Sequence, residues 1–216
     1  MIIAIDGMAA SGKGELVKFL AKHYSCEFLP TGNLYRVVAK KFIEDGLDID
    51  KFVISLSKKD ILNILNKADI LDTSLVSDII SQTASKIAKV KEIRQLLTGF
   101  QREWIKKRKT AIVEGRDVGT VVWPEAEVKL FLIADPKIRA RRRTNQLREK
   151  GDVVLEKEIY FHLVERDKRD STRTVAPMKM AKDAILLDTT NLTIEEMQQK
   201  AVKLIEKKID NFCGKV

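Results

Sequence analysis

Cysteine and histidine are scarce in this sequence, and their scarcity excludes several kinds of chemistry. Its 216 residues hold two cysteines, Cys26 and Cys213. These make neither a disulfide framework nor a metal-binding spacing, and they suit a reducing cytoplasm. The two histidines, His23 and His162, stand apart in the chain and read as packed or surface residues rather than ligands. Four prolines and ten glycines leave no low-complexity linker, so a single domain over residues 1–216 is expected. No apolar run approaches the roughly 18 residues that span a bilayer. The opening MIIAIDGM carries an acid at Asp6 and no basic start, unlike a secretory leader.

Charge is what the chain has in excess. Forty Lys and Arg against 31 Asp and Glu give a formal net charge of +9. A basic surplus suits an anionic partner, whether nucleotide, nucleic acid or membrane surface. Part of it, such as Lys203, Lys207 and Lys208, reads as an ordinary solvated helix face.

Short apolar runs alternate with amphipathic stretches. Strands are expected at Ile2–Ile5, Glu27–Leu29, Ala111–Val113, Val128–Ala134 and Ala184–Leu187. Helices are expected at Lys13–Tyr24, Gly32–Glu44, Pro136–Glu149, Val154–Arg173 and Thr193–Lys208, and residues 47–106 read as mainly helical. In that last region Ile61, Leu62, Ile64 and Leu65 form one amphipathic stretch, and Ile79, Ile80, Ile87 and Val90 another. Helix Val154–Arg173 is read through Ile159, Phe161 and Leu163. Thr193 and Glu196 form a capping box. Buried strands alternating with helices predict an α/β fold with a parallel sheet covered on both faces.

The first chemical motif is Gly7-Met8-Ala9-Ala10-Ser11-Gly12-Lys13, between a strand and a helix. It fits the opening of the P-loop pattern. Glycines let backbone N–H groups turn inward toward phosphate oxygens, and the helix N-terminus and Lys13 add positive charge. The pattern's next residue is Ser or Thr, which meets the magnesium ion; here Gly14 and Glu15 follow. Asn66-Lys67-Ala68-Asp69 matches a guanine-reading motif, but it lies within an amphipathic stretch, and no Asp-x-x-Gly switch accompanies it.

Arginine supplies the second motif. Arg116 and Asp117 lie in Glu114-Gly115-Arg116-Asp117-Val118-Gly119-Thr120, directly after a strand, where open α/β sheets meet ligands. Arg166, Asp170 and Arg173 fall at i, i+4 and i+7 and share one helix face. Such a face can clamp phosphates and a ribose hydroxyl, or can be a surface ion-pair ladder. The basic helix Pro136–Glu149 lacks the interleaved aromatics that single-stranded nucleic acid binding favours. No nucleic-acid partner is therefore expected, although a basic nucleotide-dependent binding module is the alternative class.

The stretches IDGMAASGKGE, TGNLYRVVA, EGRDVGTVVWP, VKLFLIADPKIRARRR and RDKRDSTRTVAP together resemble the bacterial cytidylate kinase family of nucleoside monophosphate kinases. They cover nearly the whole chain; residues 50–80 match poorly. The resemblance implies a three-layer P-loop kinase fold. Its core would be about 1–30, 107–143 and 177–216, its monophosphate-binding region about 31–106 and its lid about 144–172. It implies a cytoplasmic monomer that phosphorylates CMP and dCMP with ATP and Mg²⁺, without a membrane partner. A related kinase with another small acceptor is the alternative enzyme.

By position, Gly7, Met8, Ala9, Ala10, Ser11, Gly12, Lys13, Gly14 and Glu15 would hold ATP, with Arg142 stacking on adenine. Thr31, Ser85, Arg94 and Asp117 would contact the nucleoside. Arg36, Arg116, Arg166 and Arg173 would clamp phosphate, and Asp170 would sit near the ribose. Lys13, Arg116, Arg166 and Arg173 would be catalytic; the metal's inner shell is not assigned. A carboxylate can accept from cytosine's amino group, whereas uracil offers an acceptor there. Two features depart from the family. Glu15 stands where it usually has threonine after Lys-Gly. The monophosphate-binding insert, Ser57–Ser77, is short, with Val76 where an arginine is often found. The second departure predicts weaker monophosphate binding or looser discrimination among CMP, dCMP and UMP.

Overall fold

The computed structural model describes residues 1–46 and 58–213. Strand β1 (Ile2–Gly7) leads through the P-loop into α1 (Lys13–His23), then β2 (Glu27–Pro30) and α2 (Thr31–Asp45). Next come α3 (Lys58–Lys67), a short 3₁₀ turn at Thr73–Val76, α4 (Asp78–Ile87) and α5 (Lys91–Lys106). Strand β3 (Ala111–Glu114) is followed by a single wide helical turn, Val118–Val122. The chain continues through β4 (Val128–Ile133), α6 (Pro136–Arg148), α7 (Glu156–Thr172), β5 (Ile185–Asp188) and α8 (Ile194–Cys213).

The five strands form an all-parallel sheet in the order β2-β3-β1-β4-β5. Every β1 residue is buried, because helices cover both faces. Side chains alternate between those faces with period two. Ile3, Ile5, Leu130 and Leu132 pack with Leu16 and Leu20 of α1 and Ala201 and Ile205 of α8. Ile2, Ala4, Leu29 and Val113 pack instead with Leu34 and Val38 of α2 and Leu97 of α5. A third, smaller cluster joins Ala9 of the P-loop to Ala140 and Leu147 of α6 and Ile159 and Leu163 of α7. In register, Ile5 lies opposite Glu114. The loops after β1 and β3 therefore leave the sheet side by side, where ligands meet open α/β sheets.

Local chemistry sets the element ends. Asp135 caps α6, accepting from the backbone N–H of Lys137 and Ile138, and Pro136 occupies the first turn. At α8 the Thr193 backbone N–H donates to Glu196 Oε2 at 2.9 Å, and the Glu196 N–H donates to Thr193 Oγ1 at 3.1 Å. These are the two reciprocal bonds of a capping box.

Two details differ from the periodicity reading. Val90 does not continue the helix of Ile79, Ile80 and Ile87; α4 ends at Ile87 and Val90 caps α5. On α7, Ile159 and Leu163 are buried four residues apart while Phe161 is 54% exposed. A residue two positions on points about 200° round the helix, so it cannot share their face. The Asn66–Asp69 motif straddles the end of α3. Of the stretch 57–77, Ser57 lies outside the described residues. Among the described residues, no helix is long and apolar enough to cross a membrane.

Candidate active site

The P-loop is held open by two glycines whose geometry excludes side chains. Gly7 has φ +138°, and a Cβ there would lie 2.0 Å from the Leu132 carbonyl oxygen. Gly12 has φ +95°, and its Cβ would meet Met197 Sδ at 2.9 Å. Between them Ala10 takes φ +55°, a left-handed conformation uncommon outside glycine. The wall behind the loop is tied by Thr189, whose Oγ1 donates to the Ser11 carbonyl at 2.9 Å. Ser11 Oγ donates to the Met8 carbonyl at 2.9 Å.

Lys13 is buried in the first turn of α1, and its Nζ donates to the Met8 carbonyl. Burial depresses its pKa well below the usual lysine value, and Arg116 adds to the depression; Glu114 partly opposes it. A lysine under this pressure gains from any anion brought against it. Gly14 and Glu15 are exposed. The Glu15 carboxylate pairs with Lys18 at 3.4 Å on the outer face of α1. An acid in the first turn also complements the helix dipole.

Beside the P-loop lies a cleft lined by Thr31, Arg36, Ser85, Arg94, Arg116, Asp117, Arg166, Asp170 and Arg173. They come from α2, α4, α5, the loop after β3, α7 and the residue that ends α7. Thr31 Oγ1 donates to the Glu114 carbonyl at 2.7 Å, docking the start of α2 on the end of β3. Arg94 and Arg173 grip opposite oxygens of Asp117. Arg94 Nη2 donates to Oδ2, and Arg173 Nη2 donates to Oδ1 at 3.0 Å. The Arg94 guanidinium also lies 5.5 Å from the centre of the Tyr35 ring. A carboxylate oxygen has a second lone pair, so this grip leaves Asp117 able to accept from a further donor.

Asp170 is the second acidic node. It accepts from Ser85 Oγ at 3.1 Å and from Arg116 Nε at 3.2 Å, with Arg166 Nε at 3.8 Å. Burial alone would raise its pKa, but Arg166, Arg116 and Arg173 together hold it below the usual carboxylate range. The cleft still has a surplus of positive charge. Burial lowers Arg36 to about 9 and Arg166 to about 10, each helped by neighbouring arginines. The Nε atoms of Arg36 and Arg166 are buried without a hydrogen-bond partner among the described residues. Buried donors of this kind are rare in folded proteins and call for an acceptor.

Arg142 lies outside this cleft. It donates to Thr189 Oγ1 at 3.1 Å, the Thr189 carbonyl at 2.6 Å and the Leu192 carbonyl at 3.3 Å, next to the P-loop's rear wall. Arg143 of the same helix donates to the Val76 carbonyl, bringing a guanidinium to the end of the short insert.

Sequence reasoning missed three groups. Asp6, at the end of β1, is buried and accepts from the backbone N–H of Val118 at 2.9 Å and Gly119 at 2.7 Å. It thereby fixes the loop that carries Arg116 and Asp117. Burial raises its pKa to about 6, partly offset by those two N–H bonds. Arg139 is 2% exposed, although it sits in the basic helix, and it pairs with Asp167. An acid closing an apolar strand was the signal for Asp6; Arg139 and Asp167 offered none in local pattern.

A family model for cytidylate kinase matches residues 3–207. The chain is 41% identical over 206 residues to a cytidylate kinase of Rhodopseudomonas palustris strain HaA2, covering 95% of this chain and 96% of the relative. It is 43% identical over 211 residues to a cytidylate kinase of Thermosipho melanesiensis, covering 95% and 97%. This chain belongs to the cytidylate kinase family. It is a phosphotransferase of that family. The fold likeness reaches further than the sequence. A gluconokinase structure from Sinorhizobium meliloti superposes with a TM-score of 0.54 at 13% identity, covering 99% of this chain and 95% of that one.

Among the described residues, no group of three or more His, Cys, Asp or Glu side chains is arranged to hold a metal ion.

Proposed function

We propose that this enzyme transfers the γ-phosphoryl group of ATP to CMP and dCMP, giving the diphosphates. The observation that carries this reading is the pair of buried guanidinium Nε atoms of Arg36 and Arg166 that make no hydrogen bond among the described residues, in a cleft opening beside the P-loop. Phosphate oxygens would satisfy both. The P-loop amides and Lys13 would cradle the donor phosphates, and Arg142 would border the adenine. Arg36, Arg116, Arg166 and Arg173 would surround the acceptor phosphate and the phosphoryl group in flight.

Asp117 is the base reader in this proposal. Clamped by Arg94 and Arg173, it would accept from the cytosine amino group, and Arg94 would donate to the ring acceptors. Ser85 and Asp170, already hydrogen-bonded to each other, would face the ribose. No general base is needed, because the attacking phosphate oxygen is already ionised near neutral pH. Catalysis is then positioning and charge neutralisation.

Bound with ATP, Mg²⁺ would neutralise developing charge on the phosphate oxygens. Glu15 is turned toward Lys18 and takes no part. The lid, about residues 144–172, would exclude water from the transferring group in its closed position, in which Asp167 meets the Ala9 N–H.

A coupled ADP-release assay with CMP, dCMP, UMP and AMP as separate acceptors tests the proposal. CMP and dCMP should give turnover well above the ATP-only control. Absence of that turnover would overturn it.

A further inference from the structure

One P-loop residue is held on three sides by the helix pair α6–α7. The Ala9 methyl packs in the cluster of Ala140, Leu147, Ile159 and Leu163. The Ala9 N–H donates to Asp167 Oδ1 at 3.3 Å, and the Ala9 carbonyl accepts from Arg139 Nη1 at 3.1 Å. Arg139 and Asp167 also pair with each other, and Arg139 Nε donates to the Ala134 carbonyl at 2.9 Å, anchoring the guanidinium to the end of β4. Opposite charges therefore neutralise each other in a partly buried triangle whose third corner is the loop backbone.

Asp167 directly follows Arg166, which points into the cleft. Whatever fixes Asp167 against Ala9 thus also fixes the separation between the P-loop and the Arg166 guanidinium. We infer that Asp167 and Arg139 are positioning residues that clamp Ala9 to α7, so that the phosphate cradle and Arg166 are held in one register. This rests on the proposed function, in which the phosphoryl group passes between the loop and that arginine. A register held in this way acts at the transition state more than on either bound substrate. Misplacing a charge-stabilising group by about 1 Å can cost on the order of 100-fold in rate.

The experiment compares Asp167→Ala and Asp167→Asn with the unaltered protein. Asparagine keeps an oxygen for the Ala9 N–H and loses the charge facing Arg139. Asp167→Ala should lower kcat by about 10- to 100-fold with KM for CMP changed less than about threefold. Its ATP hydrolysis without CMP should rise as a fraction of turnover. Asp167→Asn should recover part of kcat. Amide hydrogen exchange gives a readout independent of the acceptor: Ala9 should exchange faster in Asp167→Ala while the β1 amides stay protected.

Unchanged Ala9 exchange, or unchanged kcat in a folded Asp167→Ala protein, overturns the clamp. So does a lowered melting temperature with kinetics unaltered. If the unaltered protein fails to phosphorylate CMP, the proposed function fails, and the exchange result still decides the clamp.

Discussion

Arg116 Nε donates to Asp170 Oδ2 across 3.2 Å, and this bond joins two parts of the molecule 54 residues apart in the chain. Arg116 rides on the loop after β3, and Asp170 on the inner face of α7. Because Asp170 also accepts from Ser85 of α4, three elements meet at one carboxylate. Such a node is costly to break, since removing the acid takes the counter-charge from Arg116 and Arg166.

Lys13→Ala should lower kcat by about 100- to 1,000-fold, the range seen when a preorganised charge is removed from a transition state. Stability should not fall, because burial already opposes the lysine's charge in the folded protein. Steady-state kinetics with CMP and a thermal melt check both halves. Near-normal kcat would remove Lys13 from the catalytic machinery.

Asp117→Asn should reduce kcat/KM for CMP more than for UMP. The amide keeps one acceptor oxygen but presents a donor where the cytosine amino group also donates. It also leaves Arg94 and Arg173 short of a counter-charge, so a lower melting temperature should accompany the change. Equal losses for both nucleotides would deny Asp117 a part in reading the base.

Asp6 makes a signed prediction about pH. Its folded value of about 6 stands above the ordinary 3.8, with burial the first cause, and Asp117 and Lys13 are the charged groups that act on it. A raised carboxyl binds its proton more tightly folded than unfolded. Its contribution is therefore most favourable below about pH 4 and declines as pH rises to about 6. The difference of about two pH units corresponds to ~3 kcal/mol. Relative to Asp6→Asn, the unaltered protein should lose about that much between pH 4 and pH 7 in urea unfolding. A pH-independent difference would mean that the carboxyl titrates normally.

Glu15→Thr should leave kcat unchanged or raise it. The carboxylate is exposed and, among the described residues, is paired with Lys18 on the outer face of α1. Exposed pairs contribute little, about 0–1 kcal/mol, so the melting temperature should barely move. A collapse of activity would give Glu15 a metal role that its orientation in this structure does not suggest.

Local chemistry explains how much of the site was legible. The P-loop can be read from sequence because its glycines answer a backbone requirement at fixed spacing: Gly7 and Gly12 occupy positions where a Cβ collides with Leu132 and Met197. Arg166, Asp170 and Arg173 can be read as a face because helical geometry sets which residues align. Arg139 shows the limit. Five arginines crowd α6, and their spacing does not reveal that Arg139 alone is buried to 2% while Arg142 turns to the Thr189 carbonyl.

The sequence by itself determined the strands, the helices between them, the phosphate loop and the family. Each depends on residues close together in the chain or on motifs kept in order. Tertiary structure alone decided which charges face one another. Asp6 meets Val118 and Gly119 from 112 and 113 residues away, and Asp167 meets Ala9 from 158. Electrostatic partners are chosen by distance in space, and it is the parallel pairing of β1 with β3 that brings the ends of these two strands together.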